Sequence, residues 1–162
     1  GKFANGAVSA AVVYLFNDLS TNKVQIAEKS ENALSMLHKW ASRDGGNNEY
    51  FFESDHQMTI DLQDSPKLQV AINAWIMERH KVGDAAFLDV ESFFPIGNGM
   101  LNLTRQFVGT FKASVYQLDT NRIGVYIFNA TSLQSAMYHI GLPDNYGATY
   151  YLKQHYYFEE RY

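Results

Sequence analysis

The chain of 162 residues is 46% hydrophobic and 19% charged, with a formal net charge of −4, a balance that fits one globular domain and excludes a disordered polymer. It contains no cysteine, which excludes disulfides, thiolate zinc sites and a cysteine nucleophile. No Lys or Arg lies between Lys81 and Arg105, so no basic stripe is offered to phosphates and nucleic acid is a disfavoured partner.

The first element expected is a helix entered at Asn5 or Gly6 and built on the apolar run Ala7 to Phe16, in which only Ser9 is polar. Ten residues are about half of the roughly 20 needed to span a bilayer, and the following Asn17-Asp18-Leu19-Ser20 has no small-x-small cleavage pattern. The run is therefore read as a helix belonging to a folded domain, with a small face at Ala7, Ala10 and Ala11. A second helix is expected over 23–43, from the stripe Ile26, Ala33, Leu34, Leu37, Trp40 and Ala41, stopped by Asp44-Gly45-Gly46-Asn47-Asn48.

Glu49 to Glu53 and Gln57 to Leu62 read as short strands joined by a turn at Ser54-Asp55-His56, the second alternating Met58, Ile60 and Leu62 against polar residues. Ser65-Pro66 then starts a helix, with Leu68, Ala71, Ile72, Trp75 and Ile76 in helical spacing as far as Gly83. Residues 84–104 leave helix and strand open. Alternation from Gln106 to Leu118, a turn at Asp119-Thr120-Asn121 and alternation from Arg122 to Asn129 predict a hairpin, with Ile123, Val125 and Ile127 facing opposite to Tyr126 and Phe128.

Thr131-Ser132-Leu133-Gln134 has the capping-box pattern of a short helix ended by Gly141 and Pro143, and Tyr150 to Tyr162 reads as a closing strand. No internal repeat or linker divides the chain. The expected fold is α+β: one domain over 1–162, helices first and a mainly antiparallel sheet later. Of the 24 aromatic residues, 16 fall in residues 82–162, so the sheet is expected to carry an aromatic face.

Candidate chemistry concentrates in that second half. Ser135 and His139 are four apart on the short helix, hence on one face, as a nucleophile and base would need to be. Asp144 follows in a turn, and His155, Tyr157 and Glu159 alternate along the last strand and share a face. If that strand pairs near the hairpin, His139, Asp144, His155 and Glu159 converge on one rim as a general acid and base set. The plainer alternative is an aromatic sheet face edged with polar residues.

The other histidines are read as structural: His38 on a helix surface, His80 in a last helical turn and His56 solvated in a turn. Asp89-x-Glu91 lacks a third carboxylate for a magnesium site, and no nucleotide, dinucleotide or zinc-peptidase motif is present. No cofactor and no metal are expected.

Gly1-Lys2-Phe3-Ala4-Asn5-Gly6-Ala7-Val8, with the small-residue helix ending Tyr14-Leu15-Phe16-Asn17, resembles the junction that precedes the variable C-terminal toxin module in Rhs-repeat and other bacterial polymorphic toxins. The resemblance covers about the first tenth of the chain. It implies a junction-like lead over 1–20 and a toxin module over 21–162, cut from a longer secreted chain, with a parent shell and secretion apparatus and a cognate immunity protein as partners. The module would be delivered into a competing bacterial cell. Three activities follow as expectations: an enzyme acting on an envelope or small-molecule substrate, a membrane-perturbing toxin, or a non-catalytic protein- or glycan-binding module. Asp144, Tyr146 and His155 are also loosely similar to the tail of lipid II-degrading bacteriocins of the colicin M type, though Gly147 stands where those have a second Asp and Tyr156 where they have Arg.

Overall fold

The computed structural model describes residues 24–42, 49–90, 102–109, 111–132 and 151–162. In chain order these form β1 (Gln25–Ile26), α1 (Ala33–Ser42), β2 (Glu49–Phe52), α2 (Gln57–Gln63), α3 (Pro66–Met77), β3 (Ala85–Val90), α4 (Leu103–Val108), β4 (Phe111–Asp119), β5 (Arg122–Ser132) and β6 (Tyr151–Arg161). The strands make one six-stranded sheet in the order β1-β2-β6-β5-β4-β3. The run β3-β4-β5-β6 is antiparallel, whereas β2 lies parallel to both β6 and β1. The class is α+β, as the order of elements predicts.

Period-two side-chain alternation gives this sheet two unlike faces. Phe111, Ala113 and Val115 of β4, Ile123, Val125 and Ile127 of β5, and Leu152, Tyr156 and Phe158 of β6 point to one side. There they meet Met36 of α1, Met58 and Leu62 of α2, Leu68, Ile72 and Trp75 of α3 and Val108 of α4 in one core. Burying such side chains contributes roughly 1.5–3 kcal/mol each before the loss of chain entropy is set against it. Gln154 is also fully buried on this side, its amide donating to Leu152 O and its side-chain oxygen accepting from Asn129 Nδ2 at 2.7 Å. The opposite face holds a second, smaller cluster of Val24, Phe51, Tyr126 and Tyr157.

The helices depart from expectation in instructive ways. The second helix begins at Ala33, ten residues late, because Asn32 caps it: Asn32 Oδ1 accepts from the amides of Leu34 and Ser35 at 3.0 and 3.1 Å. Residues 25–26 instead add a parallel strand beside β2. Gln57 to Leu62 is helix α2 and not a strand. His56 decides this, since its Nδ1 accepts from the Met58 amide at 3.1 Å as an N-cap, and the buried set Met58, Thr59 and Leu62 has helical spacing.

Helix α3 starts at Pro66 as predicted but ends at Met77, not Gly83, with Arg79 at a φ of 55° just beyond it. Phe107 belongs to α4, capped by Asn102 Oδ1 accepting from Arg105 N. Gly109, at φ 68°, then turns the chain into β4, a conformation that L side chains disfavour. Thr131 and Ser132 are the last residues of β5 and not the opening of a helix. The expected first helix, the Asp44-Asn48 loop, the Gly97-Asn98-Gly99 turn and the short helix after Ser132 fall wholly or mostly outside the described residues. Among the described residues no helix is long and apolar enough to cross a membrane.

Candidate functional site

The central strand β6 sets the site. Its register puts His155 opposite Phe128 of β5 on one side and opposite Phe51 of β2 on the other. His155, Tyr157 and Glu159 project to the face away from the helices, together with Lys153. From β5 the same face receives Tyr126, Phe128 and Gly124, and from β2 Glu49 and Phe51.

The His155 ring is 4% exposed and bonded on both nitrogens. Its Nε2 lies 2.7 Å from Glu49 Oε1 and its Nδ1 lies 2.6 Å from the Tyr126 hydroxyl. A carboxylate only accepts, so the neutral imidazole carries its hydrogen on Nε2 and leaves Nδ1 bare to accept the Tyr126 proton. Lys153 Nζ holds the other Glu49 oxygen at 3.1 Å. Phe128 lies over the ring at 5.1 Å and a tilt of 43°. The result is a chain, Lys153 to Glu49 to His155 to Tyr126, assembled from three strands.

Burial, with the Glu49 charge added, pushes the Tyr126 phenol well above the ordinary tyrosine range. The phenol is therefore a neutral donor at any physiological pH, and only a base in contact with it can remove its proton. Nucleophile, base and a third group that orients the base are the three parts of general-base activation, and Tyr126, His155 and Glu49 meet the geometric requirement at hydrogen-bonding distance.

A second polar row runs beside the first. Tyr157, opposite Tyr126, donates to Glu159 Oε1 at 2.9 Å, and Arg122 Nη1 holds Glu159 Oε2 at 2.8 Å. Arg122 Nε also donates to Asp119 Oδ2 at 2.9 Å. Tyr116 stacks against Tyr157 at 6.5 Å and lies directly over Gly124, where a Cβ would come within 2.4 Å of its ring. Burial raises both the Tyr116 and the Tyr157 phenols.

Of the five residues singled out from the sequence, His155 and Glu159 lie on this face, and each is held by partners other than the other one. Ser135, His139 and Asp144 lie outside the described residues. Glu49 and Tyr126 were not singled out. Tyr126 was readable as a residue of the non-core face, but nothing local links Glu49 to a histidine 106 positions later.

The remaining histidines have structural places. His38 is exposed on α1. His56 is buried and not solvated, capping α2 through Nδ1 while its Nε2 lies 3.0 Å from Glu28 O. His80 sits past the end of α3, stacked on Trp75 and 3.1 Å from Glu78. Among the described residues no group of three or more metal-ligating side chains is assembled. An open groove of about 340 Å³ between α3 and β3, lined by Ala71, Trp75, Glu78, Phe87 and Asp89 among others, is on the far side of β4 and β5 from His155 and has no base beside a nucleophile. Compared with known proteins, the chain matches no family model, no curated protein and no solved structure.

Proposed function

We propose that the chain is an enzymatic effector module of the Rhs polymorphic-toxin type, in which His155, held between Glu49 and Tyr126, performs general acid and base chemistry on an envelope or small-molecule substrate. The class rests on the junction-like stretch Gly1 to Val8. The enzymatic reading is carried by one observation, the imidazole bonded at 2.7 Å to a carboxylate and at 2.6 Å to a phenol. A buried ring with both nitrogens engaged by side chains of two other strands is a costly arrangement for packing alone, where an apolar residue of similar shape is as stable or more so.

Net negative charge argues for a substrate that is not nucleic acid. On this reading a cognate immunity protein protects the producing cell, and a parent shell and secretion apparatus deliver the module into a competitor. A non-catalytic binding module has its own support in the half-exposed Phe87 and Phe128 on the same face, since aromatic rings are good contact surfaces.

Directing the chain to the cytoplasm or to the periplasm of a bacterial host separates these readings. Loss of growth in one compartment with membranes initially intact is the expected result. Immediate depolarisation on expression would replace the enzyme with a membrane-perturbing toxin, and normal growth in both compartments would leave the binding module.

A further inference from the structure

We infer that Tyr126 is the covalent nucleophile of an acyl-transfer cycle, with His155 as its base and Glu49 as a positioning residue, so that the substrate is an ester or thioester carbonyl. This rests on the reading of the His155 face as catalytic and goes beyond it in naming the attacking atom and the bond attacked.

The assignment of roles follows from which atoms can donate. In the neutral ring Glu49 accepts from Nε2–H, which leaves Nδ1 as the acceptor for the Tyr126 hydroxyl at 2.6 Å. Within the series Lys153, Glu49, His155 and Tyr126, the Tyr126 hydroxyl is thus the oxygen with a proton to lose and an imidazole nitrogen placed to take it. Lys153 holds the second Glu49 oxygen at 3.1 Å and Phe128 lies over the imidazole, so ring and carboxylate are fixed in one geometry before any substrate arrives.

In the first half-reaction the Tyr126 oxygen attacks the carbonyl carbon while its proton passes to Nδ1. The new carbon–oxygen bond forms, the bond from that carbon to the leaving oxygen or sulfur breaks, and Nδ1 returns the proton to the leaving group. In the second half, water attacks the tyrosyl ester, gives a proton to Nδ1, and that proton goes back to the departing Tyr126 oxygen. Glu49 offsets the imidazolium charge in both halves.

The ester or thioester class is chosen because an aryl ester is itself an activated acyl donor. A single base then serves both halves, whereas a phosphotyrosyl intermediate is stable and needs a second, separately activated nucleophile.

The test uses the full chain and phenylmethanesulfonyl fluoride, an electrophile that reports activated hydroxyls, with adduct sites read by peptide mapping. Tyr126 is expected to be labelled far faster than the exposed Tyr162, whose hydroxyl accepts from the Gln117 amide rather than giving its proton to an imidazole and which serves as the reference in the same molecule. Glu49→Gln is expected to lower the Tyr126 rate about 100-fold, with Glu49→Asp recovering part of it. It should also change the pH profile of labelling, which a merely structural role would not move.

Tyr126 labelled no faster than Tyr162 in the wild-type chain would overturn the inference even if every variant failed to fold. So would a Tyr126 rate that Glu49→Gln leaves unchanged. Labelling in a chain that harms no cell would instead remove the toxin reading and keep the nucleophile. Undiminished killing by Tyr126→Phe, with His155→Ala inactive, would do the reverse.

Discussion

His155 depends on partners that differ in how they fail. Removing the Tyr126 hydroxyl with Tyr126→Phe takes a buried donor away from Nδ1, at a cost of about 1–3 kcal/mol, while retaining the aromatic packing against Val24, Phe51 and Tyr157. The expected result is a folded protein with a modestly lower melting temperature and no killing activity, checked by circular dichroism and colony counts. Gly124 makes a different kind of demand. Gly124→Ala brings a methyl group within 2.4 Å of the Tyr116 ring, which must then leave its stacked position on Tyr157. That substitution should change near-ultraviolet dichroism from the tyrosine row while far-ultraviolet dichroism stays the same.

At the scale of elements, α2 hangs on its cap. His56→Ala removes the side-chain acceptor for the Met58 amide and the ring nitrogen 3.0 Å from Glu28 O, both in buried surroundings. A loss of about 2 kcal/mol is expected, at the upper end of the range for N-caps, measurable by urea denaturation. The same cap settles a pattern that the sequence leaves ambiguous: Met58, Ile60 and Leu62 satisfy a two-residue period, and Met58 and Leu62 also satisfy a helical one. Choosing between the two required knowing that the ring of His56 turns back onto the chain.

The hairpin of β4 and β5, the last strand and the Ser65-Pro66 helix start were legible because their signals are local, in alternation, turn residues and capping. β1 was not legible, since a two-residue strand exists only through its neighbour β2. Half of the candidate site was hidden for the same reason. Alternation placed His155 and Glu159 on one face, but Glu49 reaches His155 only because β2 inserts parallel beside β6, a long-range pairing that no local pattern encodes.

Among the described residues a helix-covered core is joined to a polar and aromatic face, and the Glu31–Lys39 pair outside both gives one expected contribution to the acid-side pH response. Burial alone would raise the Glu31 carboxyl, but hydrogen bonds from Lys39 and Ser35 outweigh it and hold the group below the usual glutamate range. A depressed folded-state value means stability that is present above the unfolded glutamate range and lost as pH falls through the folded value. Glu31→Gln should therefore remove part of the acid-side slope in denaturation midpoints between pH 6 and pH 3, on the order of the range over which carboxylates titrate, and leave the slope above pH 6 unchanged. An identical acid-side slope in the variant would show that the Glu31–Lys39 pair carries none of it.

The proposal that His155 works in a toxic enzyme is tested most directly by the survival of bacteria expressing the wild-type chain or His155→Ala at equal levels, with the fold of each checked by circular dichroism. Restored colony formation with a folded variant is the predicted result. Killing by folded His155→Ala at the wild-type level would contradict the account.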